Sequence, residues 1–168
     1  MGRKTYFGVP ESKRPLPERF NVVLTTEPEK YEFPSEVIVV KSMDEALAKL
    51  SEPDLKNQIE NVWIVGGHSV YKLAMESPQC HRIYFTKIMA EFDCDAFFPT
   101  IPDSFKLISN DDDIPSEVQE ENGIKYQYQI YEKVVLWLCL SMNGVKHGVF
   151  CSPNIPNSSL NVYARKVK

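Results

Sequence analysis

The sequence predicts an α/β protein with a mixed sheet flanked by helices, and three observations carry that prediction. Short β-branched or apolar runs alternate with helix signals across residues 20–88, and such alternation implies parallel crossovers in a layered fold. The strand-like run 61–65 breaks into Gly66-Gly67 and reopens as the helix-like His68-Ser69-Val70-Tyr71-Lys72. Farther along, residues 124–130 alternate apolar with polar, the pattern of an antiparallel strand wetted on one face.

Each element has a local reason. Residues 20–24 and 36–40 are β-branched or apolar runs bounded by proline or polar residues, and read as short strands. Ser42 opens a helix as its N-cap, with Glu45 three residues on as a capping box. Met43, Ala46, Leu47 and Leu50 then follow at helical spacing. A strand over 61–65, a helix over 69–76 and a strand over 82–88 come next. At the glycine pair the backbone can bend where a side chain would clash, and no Cβ holds a ligand away from the amides. The helix that follows offers unpaired N–H groups and the positive end of its dipole, so an anion is favoured there. Strand-to-helix turns also use glycine for geometry alone, so the pair by itself leaves both readings open.

Composition narrows the function classes. A chain of 168 residues, 43% hydrophobic and 25% charged, suits one domain with a sizeable core. The net charge of -4 and a pI near 5.4 argue against a general nucleic-acid binder and for small-molecule partners, while leaving room for a local basic cluster. Cys80, Cys94, Cys139 and Cys151 show no CxxC spacing, and no secretory leader is read, so reduced thiols in a cytoplasmic protein are expected. His68, His81 and His147 have no metal-ligand spacing, and no metal is expected. The apolar run 134–140 is far shorter than the roughly 20 residues that span a bilayer, so no membrane segment is predicted.

Five segments taken together carry a family resemblance. They are Met1-Gly2-Arg3-Lys4-Thr5-Tyr6, Arg14-Pro15-Leu16-Pro17-Glu18-Arg19 leading into Asn21-Val22-Val23-Leu24, Trp63-Ile64-Val65-Gly66-Gly67, Phe85-Thr86-Lys87-Ile88, and Asp93-Cys94-Asp95-Ala96-Phe97-Phe98-Pro99. In order and spacing they resemble animal dihydrofolate reductase, the NADPH-dependent enzyme that reduces 7,8-dihydrofolate to 5,6,7,8-tetrahydrofolate in one-carbon metabolism. The resemblance implies a dihydrofolate-reductase-like mixed sheet flanked by helices, with the N-terminal central strands missing. It covers residues 1–133 as a partial reductase domain. Residues 134–168 have no counterpart and are expected to form an unrelated, poorly ordered tail, such as reading through an exon end would produce.

The resemblance also implies roles for particular residues. Arg3, Lys4 and Thr5 match a segment whose basic side chains and helix-start amides grip NADPH phosphates. Thr25, Thr26 and Glu27 fall where the family holds the adenosine end, although two threonines after a strand are more often a plain turn. Lys41 and Ser42 match another phosphate position, with lysine where arginine is usual, so the charge remains and the bidentate fork is lost. Gly66, Gly67, His68, Ser69, Val70 and Tyr71 match the pyrophosphate and nicotinamide cradle, and the family keeps a cis peptide between its two glycines. His68 replaces a small residue; it either donates to a phosphate or lies at the surface, and the surface reading is favoured.

On the substrate side, Arg19 matches the clamp for the carboxylate of the folate tail, a job for a planar guanidinium. Val65 offers a carbonyl near the pterin, Tyr71 borders both ligands, and Thr86 matches the threonine that positions a water and the pterin-holding acid. Lys13 stands where the animal pattern tends to have asparagine. That acid has no equivalent, since Glu11, Glu18 and Glu27 belong to loops or turns, so no catalytic residue is assigned. A chain that keeps the NADPH-binding half but is impaired in catalysis is the expected outcome. The alternatives are a non-catalytic NADPH-binding or regulatory isoform and a fragment without ligand. Absence of two neighbouring mid-sheet strands should separate the 20–24 and 36–40 pair from the larger group, leaving edges that make the chain unstable, misassemble or recruit a filler. The 134–140 run is one candidate for it. A monomer is expected if the chain folds.

Overall fold

The computed structural model describes residues 1–109 and 114–134 in full, and residues 160–167 as backbone. In chain order the elements are α1 (Arg3–Gly8), β1 (Asn21–Leu24), β2 (Val37–Val40), α2 (Met43–Leu50), α3 (Pro53–Lys56), β3 (Val62–Ile64), α4 (His68–Glu76), β4 (Cys80–Ile88), β5 (Phe105–Ile108), β6 (Gln119–Glu121), β7 (Ile124–Lys133) and β8 (Leu160–Val167). Every strand and helix expected between residues 20 and 130 is present, with ends that differ by one to three residues. Such slippage is normal where ladders fray.

The strands form two sheets. β1 and β2 pair in parallel as a sheet of their own. The second sheet runs β3-β8-β4-β7-β5, with β6 added to β7. Its β4, β5, β6 and β7 are joined antiparallel through β7, whereas β8 runs parallel to both β3 and β4. The separation of the first strand pair from the rest is as the missing central strands imply. Leu160–Val167 adds a strand between β3 and β4, inside the larger sheet rather than between it and the first pair. Val134, where the 134–140 run begins, donates its N–H to the Ser104 carbonyl at 2.7 Å beside the far edge strand, and 135–140 lie outside the described residues. The expectation of a poorly ordered tail therefore does not extend to β8.

Local chemistry explains the elements that position the site. Ser42 Oγ accepts the Glu45 N–H at 3.1 Å, and the Glu45 carboxylate accepts the Lys41 N–H at 2.7 Å. The reciprocal bond thus closes one residue earlier than in the usual capping box. Met43 and Ala46 of α2 are buried. Met43 belongs to a core with Ile64, Val70, Ala74, Met75, Ile83, Phe85 and Phe105, and Tyr6, Val23 and Val37 make a smaller one. α4 enters that larger core through Val70, Ala74 and Met75, which fixes its N-terminus against the end of β3.

Candidate cofactor cleft

The glycine pair sits where β3 gives way to α4. The Gly66–Gly67 peptide is cis and Gly66 has φ +95°, a left-handed conformation that L side chains rarely adopt. A Cβ at Gly66 would lie 2.7 Å from two ring carbons of Tyr71, whose ring in turn packs on Phe98 with centroids 5.0 Å apart. The Gly66 carbonyl accepts the Gly2 N–H at 2.7 Å. This bond ties the start of α1 to the start of α4. Gly2 and Gly67 are the N-caps of those two helices, and neither end has a side-chain cap. No side chain therefore competes for their first amides.

A cleft of about 740 Å³ opens between these helix starts, the end of β1 and the start of α2. Its lining includes Arg3, Lys4, Thr5, Thr25, Thr26, Glu27, Lys41, Ser42, Gly67, Ser69 and Val70. One cavity thus gathers most of the residues expected at the cofactor, from four separate stretches of chain. Lys4 and Lys41 are exposed and have no ion-pair partner among the described residues. The Arg3 guanidinium lies over the Tyr31 ring, 4.1 Å from its centroid, a contact that restrains the side chain at the cleft. Glu27 also lines the cleft but is paired with Lys30, and Asp44 and Glu76 add two further carboxylates. The size matches that of ligand clefts in general.

Three expected cofactor residues do not line this cleft. Gly66 and Tyr71 support it from behind, as described. His68 is exposed, and its Nδ1 is 2.7 Å from the Phe97 carbonyl, so the ring bridges α4 to a loop 29 residues on. This bond favours a proton on Nδ1 and is not a contact that sequence reasoning supplied. Thr25 proves to be a turn residue: it is buried, and its hydroxyl accepts the Glu27 N–H at 3.3 Å. Thr26 is left exposed, and its hydroxyl has no hydrogen-bond partner among the described residues.

The substrate-matching residues are brought together only in part. Arg19 and Val65 line a second cavity of about 440 Å³ between β1 and β3. Arg19 is exposed there, its Nε donating to the Pro17 carbonyl at 2.8 Å. Thr86 is buried in β4 and borders a different hollow with Tyr84, Ile114, Tyr128 and Gln129. No carboxylate lines that hollow among the described residues. Elsewhere, burial pushes the Cys80 thiol up to about 11, which keeps it protonated and inert. No group of three or more metal-binding side chains occurs among the described residues.

Comparison with known proteins gives the family. The family model for dihydrofolate reductase matches residues 1–133. The chain is 66% identical over 134 residues to dihydrofolate reductase of Aedes albopictus, covering 80% of this chain and 72% of the relative. It is 57% identical over 133 residues to that of Drosophila melanogaster, covering 79% and 71%. Among solved structures, Schistosoma mansoni dihydrofolate reductase superposes with a TM-score of 0.69 at 35% identity, over 79% of this chain and 72% of that one. The chain belongs to the dihydrofolate reductase family, oxidoreductases that reduce dihydrofolate with NADPH.

Proposed function

We propose that the cleft between α1, α2 and α4 binds NADPH, and that this chain by itself turns dihydrofolate over slowly or not at all. The observation that supports the first part is the convergence of two helix starts without side-chain caps with Arg3, Lys4, Lys41 and the exposed Thr26 on one cavity. Helix-start amides hold the pyrophosphate, since their partial positive charge faces an anion without needing a counter-ion. Lys41, Thr26 and Ser42 take the adenosine 2'-phosphate. Ser42 is already engaged as an N-cap acceptor, so its hydroxyl proton is the part free to donate. Val70 supplies apolar contact, and Tyr71 holds Gly66 in place. When bound, NADPH supplies a hydride.

The chain's own residues must then hold a pterin at near-attack distance and bias its protonation. In this reading Arg19 clamps the carboxylate of the dihydrofolate tail and the Val65 carbonyl, in the same cavity, meets the ring, while Thr86 borders a separate hollow. The last task needs a desolvated carboxylate. None borders the Thr86 hollow among the described residues. Impaired turnover follows from that.

We assign residues 1–133 to a partial reductase domain and 134–168 to a tail outside the family, working as a monomer in the cytoplasm. Among the described residues no helix is long and apolar enough to cross a membrane. Two measurements on the purified full chain test the reading. Calorimetric titration with NADPH should give saturable heat, and spectrophotometric assay with dihydrofolate should show slow turnover or none. Absence of heat would remove the first claim, and turnover as fast as that of a full-length family reductase the second.

A further inference from the structure

His68 opens α4, and three buried residues of that helix, Val70, Ala74 and Met75, fix where its ring stands. Residues 89–104, between β4 and β5, carry no helix or strand, and a structureless connection longer than about 12–15 residues is uncommon and calls for a reason. Its ends are secured by main-chain bonds. The Met89 N–H donates to the Lys125 carbonyl at 2.7 Å, and the Phe105 N–H to the Pro102 carbonyl at 2.9 Å. Between them the His68 ring, with Nδ1 2.7 Å from the Phe97 carbonyl, joins the loop to the start of α4.

That carbonyl belongs to the peptide that carries the Phe98 nitrogen, so the bond fixes the plane from which Phe98 departs. On the other side Pro99 restricts Phe98 to extended backbone. Held at both ends, the Phe98 ring lies on Phe85 and Tyr71, with centroids 5.4 and 5.0 Å away. Tyr71 in turn closes over Gly66, where a Cβ would stand 2.7 Å from two of its ring carbons. The next residue, Gly67, is the N-cap of α4 and lines the cofactor cleft. The contacts thus run from His68 out to the loop and back to the turn before its own helix. The Phe97 side chain is 65% exposed, so His68 holds the loop by its main chain.

We infer that His68 is a positioning residue for the cofactor: its bond to the Phe97 carbonyl seats Phe98 on Tyr71, and so holds the Gly66-Gly67 turn and the helix-start amides after it in the arrangement that receives the NADPH phosphates. The inference rests on the cofactor reading of the cleft. Without the bond the loop can withdraw Phe98, Tyr71 gains room, and binding carries the cost of ordering the turn. The Nδ1–H stays a donor whether or not Nε2 is protonated. Charge is therefore not what holds the loop, and a neutral amide can stand in.

The test uses the full chain and two readouts, calorimetry with NADPH and the labelling of Cys94 by iodoacetamide. Cys94 is a free, partly buried thiol in the same loop, and mass spectrometry of the tryptic peptide 88–106, in which it is the only cysteine, isolates its rate. His68→Ala should weaken NADPH binding about fivefold and speed Cys94 labelling by a similar factor, the share of one net hydrogen bond. His68→Asn, whose side-chain NH2 lies the same number of bonds from Cα as Nδ1, should restore both. Phe97→Ala keeps the carbonyl and should bind NADPH as the parent does. By linkage, saturating NADPH should slow Cys94 labelling more in the parent than in His68→Ala. A His68→Ala chain that binds NADPH as the parent does, or a His68→Asn chain no better than His68→Ala, overturns the inference alone. Equal loss in Phe97→Ala also overturns it, by moving the effect to the phenylalanine ring. No heat from the parent removes the cofactor reading and the inference with it.

Discussion

Substituting alanine for Gly66 tests the junction on which the cleft is built. At φ +95° an L residue pays the left-handed penalty, about 1–2 kcal/mol. The new Cβ would also stand 2.7 Å from two carbons and 2.9 Å from the hydroxyl oxygen of the Tyr71 ring, closer than any stable contact. Tyr71 cannot retreat freely because Phe98 lies on it, so an overpacking cost of about 1–3 kcal/mol is added. The sum is about 2–5 kcal/mol, a large part of the roughly 5–15 kcal/mol that holds a domain folded. Urea denaturation followed by circular dichroism measures it. Adding Tyr71→Ala to Gly66→Ala should recover the overpacking share and leave the backbone share, so a double-mutant cycle should show coupling of about 1–3 kcal/mol. A Gly66→Ala chain within about 0.5 kcal/mol of the parent, the range of neutral surface changes, would refute the argument.

Further outcomes follow from other parts of the structure. Ser42→Ala removes the acceptor for Glu45 and should cost about 1 kcal/mol in the same assay. Burial holds the Met1 amine at about 6 in the fold, below the ordinary 8.0 of an amino terminus; the unfolded chain therefore binds the extra proton between those values, and stability should fall as pH drops from 8 to 6. The burial-lowered pKa of His81 adds loss in the same direction below its ordinary value. N-terminal acetylation should remove the Met1 part of that slope, and an unchanged slope would contradict the assignment. Lys41→Ala should weaken NADPH binding about fivefold, or about 1 kcal/mol, and reduce its salt dependence. Lys41→Arg should restore or exceed the parent affinity, because a fork matches phosphate better than a point charge.

Much of the architecture was legible because it is set locally. Ser42 with Glu45, the apolar spacing of α2 and the alternation of residues 124–130 are short-range signals, and each produced the element expected. The glycine pair was ambiguous alone, and became interpretable only beside the other family segments. What stayed hidden depends on distant partners. Strand β8 comes from a stretch with no counterpart in the family and gains its ladder only because β3 and β4 leave a place between them. Likewise the His68 bond to Phe97 joins residues 29 apart. Thr25 and Thr26 look equivalent in sequence, yet the turn engages the Thr25 hydroxyl and leaves Thr26 exposed.

The account rests on the cleft holding a dinucleotide phosphate, and calorimetry of the soluble, folded full chain with NADPH addresses that most directly. Saturable heat, reduced by Lys41→Ala and by raised salt, is the predicted result. Zero heat from a chain that melts cooperatively would contradict it.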